Sequence, residues 1–174
     1  MVIREFTEAD VSAANALTNH YIEKTVVHFA SMPATDPEFA QVWREGCKRF
    51  PWLTAESDGR FAGYAKGATW RTRDAYAHTV ETGIYIARDV QGRGVGKALY
   101  AALLDRLRRD GFRIAIGGVT LPNAASVRLH ETLGFRHAGT FHAVGHKFDQ
   151  WHDVGFWELD LTVAVAPENS SPRG

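Results

Sequence analysis

The sequence predicts a single mixed α/β domain in which helices flank a central, mostly antiparallel β-sheet. Three observations carry this. Segments of strand and helix period follow one another in the order β-α-α-β-β-β-α-β-α-β-β, a mixture of hairpins and crossovers that calls for a mixed sheet with helical cover. At 174 residues the chain holds one ordinary domain, and no repeat or linker divides it. Apolar residues make up 45% and charged residues 23%, with Phe 10, Trp 5 and Tyr 5 to fill one core.

Val2 to Phe6 alternates apolar and polar residues and reads as a half-buried strand. Thr7, with Asp10 three residues on, resembles a capping box, and Val11, Ala14, Leu17, Tyr21 and Ile22 keep helical spacing to about Glu23. Lys24 to Ala34 is a loop. Thr35 or Asp36 caps a second helix with Pro37 in its first turn, and its expected buried stripe is Phe39, Val42, Trp43, Cys47 and Phe50. Trp52 to Glu56, the Asp58-Gly59 turn and Arg60 to Trp70 form a hairpin, followed by a polar loop from Arg71 to Ala77. His78 to Ala87 is a strand. A glycine loop opens a long helix with Val95, Leu99, Leu103 and Leu107 on one face, ending near Gly111. Arg113 to Val119 is a strand, Asn123 to Leu133 a helix, and Phe135 to Phe141 and Val154 to Leu161 the closing strands. The domain is assigned to residues 1–163, and 164–174, polar and small from Pro167 onward, to a disordered tail.

Lys+Arg and Asp+Glu both total 20, so the chain as a whole attracts neither nucleic acid nor an anionic membrane. One cysteine, Cys47, permits neither an internal disulfide nor a metal site built on thiolates. His142 and His146 are four apart, but Gly145 argues against a helix between them, and no metal is expected. Charges within the first ten residues argue against a secretory leader, and no apolar run nears the ~18 residues of a membrane helix. The expectation is a cytoplasmic protein.

The chemistry concentrates at Val90-Gln91-Gly92-Arg93-Gly94-Val95-Gly96-Lys97, between a strand and a helix. Free N–H groups at a helix start, with its dipole, favour phosphate. A Walker loop needs Gly at 91 and Ser or Thr at 98, where Gln91 and Ala98 stand; the dinucleotide fingerprint needs Gly at 97, where Lys97 stands. A Gln-x-x-Gly-x-Gly pattern remains, and on its own it is compatible with a plain glycine turn.

Its context resembles the GCN5-related N-acetyltransferase superfamily. The loop Gln91 to Gly96, the preceding strand Gly83-Ile84-Tyr85-Ile86, and Asn123, Ser126 and Leu129 on a helix ending in Gly134-Phe135 match that superfamily's landmarks. The resemblance implies acetyl-CoA as co-substrate, its pyrophosphate on Gly92, Arg93, Gly94, Val95, Gly96 and Lys97. It implies pantetheine along Ile84, Tyr85 and Ile86, with Asn123 and Ser126 nearby. Asn123 also serves as a plain helix cap. Across Ile3 to Leu161, Asn19-His20-Tyr21-Ile22, Phe50-Pro51-Trp52-Leu53, Leu121-Pro122-Asn123, Ser126 to Glu131 and Trp151 to Trp157 resemble the phosphinothricin and methionine sulfoximine acetyltransferase family. That family is dimeric, so a homodimer is expected, and the implied partner is a small amino-acid-like amine.

Acetyl transfer to an amine needs a base for the ammonium proton, a donor at the carbonyl oxygen, and a proton or donor for the departing sulfur. The resemblance makes Glu81 the base and His130 catalytic, with Tyr85 a second candidate acid. The carbonyl donor is expected to be a strand N–H near Tyr85 or Ile86, turned outward by a bulge at Gly83. Arg71 and Arg73, with Lys147, are candidates for the substrate's anionic groups, and Phe29, Tyr76 and Val144 for the pocket wall. Trp151 and Trp157 are assigned to packing or a subunit interface. Near the presumed pocket Val26, His28, Gly83, His146 and Asp149 depart from the family pattern. Competing readings are acetylation of a protein N-terminus or a polyamine, and a CoA-binding regulatory module without strong catalysis.

Overall fold

The computed structural model describes residues 1–163; the expected tail, 164–174, lies outside the described residues. Seven strands and four α-helices follow the expected order. They are β1 (Val2–Glu5), α1 (Val11–Lys24), α2 (Asp36–Gly46), β2 (Trp52–Ser57), β3 (Arg60–Thr69), β4 (Thr79–Ile86), α3 (Val95–Arg109), β5 (Ile114–Leu121), α4 (Ala124–Thr132), β6 (Arg136–Lys147) and β7 (Gln150–Asp160). The sheet order is β1-β2-β3-β4-β5-β7-β6. Among the described residues only β4 and β5 run parallel, because α3 carries the chain back across the sheet between them.

Local chemistry sets the helix starts. Thr35 N–H donates to Glu38 Oε2 at 2.7 Å and Thr35 Oγ1 accepts from Glu38 N at 3.5 Å, so Thr35 rather than Asp36 caps α2. Asp36 instead accepts from Asn15 Nδ2 at 2.7 Å and ties α2 to α1. Before α1, buried Asp10 accepts from Thr7 N at 2.8 Å and from both terminal nitrogens of Arg4 at 2.7 Å. Burial pushes the Asp10 carboxyl up, but Arg4 and Thr7 together bring it below the ordinary carboxylate value.

The two sheet faces carry separate cores. On one face α3 buries Val95, Leu99, Leu103 and Leu107, as the sequence predicts, together with Tyr100 and Leu104, against Leu53, Ala65, Val80 and Ala115. On the other, α1 and α2 cover Phe6, Trp52 and Tyr64, with Phe39 and Ala40 inserted among them. Alternation along β4 therefore sends Val80, Thr82, Ile84 and Ile86 toward α3, and Glu81, Gly83 and Tyr85 toward the α1–α2 side.

The structure corrects three expectations. Cys47 is exposed rather than buried, and Val42 is exposed as well, because α2 ends at Gly46 and buries a narrower stripe of Phe39, Ala40 and part of Trp43. β6 and β7 extend to Lys147 and from Gln150, well beyond Phe141 and Val154. Register shifts between His137 and Gly139 and between Phe141 and Gly145 break the alternation that would mark β6. The hairpin turn is Phe148-Asp149, both at positive φ (52° and 56°) without a glycine to announce it.

Candidate active site

The sheet parts at its centre. β4 pairs with β5 only from Thr79 to Thr82, while its pairing with β3 continues to Ile86. From Gly83 to Ile86 one side of β4 has no strand neighbour. Ala87 donates its amide to Ala62 of β3, so by alternation the backbone groups of Ile84 and Ile86 face the opening. The Ile86 carbonyl accepts there from Tyr21 Oη at 2.8 Å. The bulge expected at Gly83 is absent: the β3–β4 register is unbroken from Gly63↔Ile86 to Thr69↔Val80. Tyr85 N–H therefore lies on the β3 side. The strand offers Ile84 and Ile86 N–H to the opening without any bulge.

The glycine loop closes one end. Gly92 and Gly94 take φ of +75° and +82°, and Gly94 precedes α3 with no side-chain cap. A Cβ at either position would meet nothing within 4 Å, so the backbone angle and not the space requires glycine. Helix geometry leaves the amides of Val95, Gly96 and Lys97 without intrahelical partners. Buried Val95 anchors the turn while Arg93 and Lys97 are exposed. Gln91 Nε2 donates to Tyr21 Oη at 2.9 Å and to the Ile86 carbonyl at 3.2 Å, so it holds the loop to α1 and β4. Unpaired amides, the positive helix end and two cations fit a diphosphate. Asn123 accepts from Ser126 N at 3.1 Å and caps α4 beside this cleft.

Glu81 stands half-buried on the α1–α2 side of β4. Burial raises its carboxyl above the ordinary value, against the pull of the Lys66 ammonium. Tyr85 stacks on Tyr64 at 5.1 Å and meets Tyr21 edge-on at 5.5 Å. Burial, with Glu81 and Tyr21 nearby, pushes its phenol well up, so Tyr85 keeps its proton and suits donation to a neutral acceptor. His28 lies 6.0 Å from Tyr85; burial and then Lys66 and Lys147 hold it below the usual imidazole value, so it is neutral at pH 7.

His130 is on the opposite face, 4% exposed beneath β5. Its Nδ1 donates to the Ser126 carbonyl at 2.8 Å, since a carbonyl only accepts, and Nε2 meets Tyr100 Oη at 3.2 Å. Tyr100 Oη in turn lies 2.6 Å from Thr82 Oγ1, which reaches the Ile116 carbonyl at 3.0 Å. Burial lowers the His130 pKa, partly offset by Ser126. A Cβ at Gly117 would fall 2.3 Å from Nε2, so the ring is seated by the absence of a side chain there. Thr82, Tyr100 and Gly117 escape sequence reading. Tyr100 follows Leu99 on the buried face of α3, and nothing local separates a packing tyrosine from a linking one.

The remaining candidates scatter. Arg71 and Arg73 are exposed and line, with Arg49, Thr69 and Asp74, a separate recess of about 230 Å³ that excludes Glu81. Arg71 also lies over the Trp70 ring, 5.3 Å from its centroid, and Trp70 packs edge-on against Phe156. Lys147 is corrected to a structural role: buried, it donates to the carbonyls of Ile22 and His28 and fastens the loop carrying Phe29 to β6. Phe29 rests on Gly145, where a Cβ would come within 2.2 Å of its ring. Trp157 is buried and packs on His137 at 4.9 Å, whereas Trp151 is 67% exposed. A larger recess, about 280 Å³ between Trp43, Cys47 and Arg106, contains none of the candidates. Lys66, mid-strand on the Glu81 face, was also missed; a lone charge among residues facing a buried tyrosine was the available signal.

Comparison with known proteins fits this geometry. Residues 15–135 match the model of the Acetyltransferase (GNAT) family. The chain is 41% identical over 170 residues to a phosphinothricin N-acetyltransferase of Streptomyces viridochromogenes, covering 98% of this chain and 93% of that protein. It is 35% identical to an L-methionine sulfoximine/L-methionine sulfone acetyltransferase of Salmonella typhimurium, covering 97% and 99%. A crystal structure of a phosphinothricin acetyltransferase from Sinorhizobium meliloti in complex with AcCoA superposes with a TM-score of 0.90 at 28% identity, covering 98% and 95%. The parted strands, the glycine-started helix and the matched residues place this chain in the Acetyltransferase (GNAT) family.

Proposed function

We propose that the protein transfers acetyl from acetyl-CoA to the α-amino group of a small amino-acid-like substrate of the phosphinothricin, methionine sulfoximine or methionine sulfone type. The observation that carries the reading is a half-buried Glu81, its carboxyl raised by burial, beside an opening whose far end is a diphosphate cradle. Near-full-length likeness to acetyltransferases of these substrates supports it. Bound acetyl-CoA supplies an activated acetyl thioester. The amides of Val95, Gly96 and Lys97, with the Arg93 side chain, hold its diphosphate, and Ile84 and Ile86 N–H, facing the gap, bind the pantetheine arm and the carbonyl oxygen.

Glu81 takes a proton from the substrate ammonium, directly or through water. The freed amine nitrogen bonds to the acetyl carbon as the carbon–sulfur bond breaks, and the sulfur leaves with the electron pair of that bond. As the amide forms, the nitrogen sheds its second proton and the sulfur takes one up. Neutral Tyr85 on this face, or the Thr82 hydroxyl that ends the chain from His130 through Tyr100 at the apex of the gap, gives its proton to the sulfur and is reprotonated by the one the nitrogen releases. Lys66 on the Glu81 face makes the surroundings cationic, which suits an acceptor with acidic groups and opposes a polyamine. The exposed Phe141, Val144, Phe148 and Trp151 on the β6–β7 hairpin serve as the contact surface of a homodimer.

Thiol release from acetyl-CoA tests the substrate class. Turnover is expected with phosphinothricin, methionine sulfoximine or methionine sulfone, and not with spermidine. Activity confined to spermidine removes the reading.

A further inference from the structure

The mechanism above leaves one charged group of the acceptor side without a task. Lys66 lies mid-β3, opposite Gly83 in the register, while Glu81 lies opposite Ala68. Alternation puts Tyr64, Lys66 and Ala68 on the same face as Glu81, Gly83 and Tyr85. The Lys66 ammonium sits over the Trp52 ring, 4.6 Å from its centroid. A Cβ on Gly83 would come within 3.9 Å of Lys66 Cε and Cγ, so glycine there leaves the stem open space.

Among the described residues this ammonium forms no ion pair and donates no hydrogen bond; its electrostatic partner is Glu81, beyond ion-pair distance. Burial lowers its pKa, with Glu81 opposing, and its charge helps to keep His28 neutral. Lys66 is half-buried with no anion within ion-pair distance, and a bound carboxylate would supply one. Arg71 and Arg73 do not share this ground, because their recess is separate.

We propose that Lys66 is the seat of the acceptor's carboxylate, beside the base, and that the site therefore selects α-amino acids over amines that lack an acid group. The proposal rests on the acetyltransferase reading. An α-amino acid carries its carboxylate on the carbon that bears the amine, so one molecule presents its ammonium to Glu81 and its carboxylate to Lys66.

Initial rates with methionine sulfone and with its decarboxylated amine analogue test this in wild type, Lys66→Met and Lys66→Arg. Met keeps the stem and the contact with Trp52 while removing the charge. Expected are a KM for methionine sulfone raised about tenfold to a hundredfold in Lys66→Met, recovery in Lys66→Arg, and an unchanged KM for acetyl-CoA. At a pH above the Glu81 limb, the rate with the decarboxylated amine falls much less in Lys66→Met than the rate with methionine sulfone. Equal losses on both acceptors overturn the seat, as does a wild-type preference for the amino acid that Lys66→Met retains; the substrate reading then survives. Wild type that acetylates the decarboxylated amine as well as methionine sulfone overturns the seat and leaves the substrate reading standing; wild type that acetylates neither, nor phosphinothricin nor methionine sulfoximine, overturns both.

Discussion

Glu81 and Thr82 are neighbours in the chain that face opposite layers of the protein, and the chemistry divides between them. Glu81 looks toward the acceptor side. Its raised carboxyl pKa has two consequences of known sign. As the proposed base, Glu81 works only when ionised, so kcat/KM for the acceptor is expected to rise with pH through that raised value, and Glu81→Gln to remove this limb of the profile. The folded carboxyl also holds its proton more tightly than the unfolded one, so stability falls as pH rises from the ordinary Glu value through the raised one. Glu81→Gln is expected to lower turnover about 10²- to 10⁴-fold with the affinity for acetyl-CoA intact, and to melt no lower than wild type at pH 7. Rate measurements, calorimetry and a thermal scan check these together; equal losses of turnover and cofactor affinity point to a structural Glu. Thr82 looks the other way, into the chain ending at His130. The family resemblance singles out Glu81 and His130 as candidates, whereas their placement on opposite faces is not legible in it, because that depends on which ladder partners β4 takes.

At the level of elements, the start of α3 carries the most consequence for the least sequence. Gly94 at φ +82° lets the chain enter the helix with its first amides bare, and a side chain there is strained by about 1–2 kcal/mol. Gly94→Val is expected to weaken acetyl-CoA binding by about tenfold or more, a loss on the scale of that strain, read by calorimetry, with a smaller drop in melting temperature. Unchanged affinity would separate the loop from the diphosphate. The glycines, caps and helical stripes were readable because they act over a few residues. The β6–β7 hairpin was read too short, since two register shifts and a glycine-free turn hide its period. Cys47 was expected inside on spacing alone, but α2 stops one residue before it.

Across the whole molecule, the parting of β4 from β5 after Thr82↔Gly117 creates the site. β5 leaves β4 to follow β7 as far as Leu121↔Asp153, and α3 and α4 fill the face below. The long β6–β7 hairpin reaches past this core and exposes Trp151 (67%), Phe141 (61%), Val144 (56%) and Phe148 (53%). Sedimentation of the wild type is expected to give a dimer, and Trp151→Glu with Phe141→Glu to give a folded monomer. A wild-type monomer would assign that surface elsewhere. The same hairpin holds the Phe29 loop through Lys147, so a residue expected to touch substrate works instead on the backbone of a distant segment.

The sequence by itself determined the element order, the mixed and mostly antiparallel sheet, the helix starts and the loop that opens α3. These follow from side-chain period, turn chemistry and hydrogen bonds that close within four residues. Only the tertiary structure decided that Ile84 and Ile86 face an opening, that Lys66 joins Glu81 while Arg71 and Arg73 stand apart, and that His130 reaches Thr82 through Tyr100. Those relations depend on ladders and packing between segments tens of residues apart, and no local pattern encodes which two strands will separate.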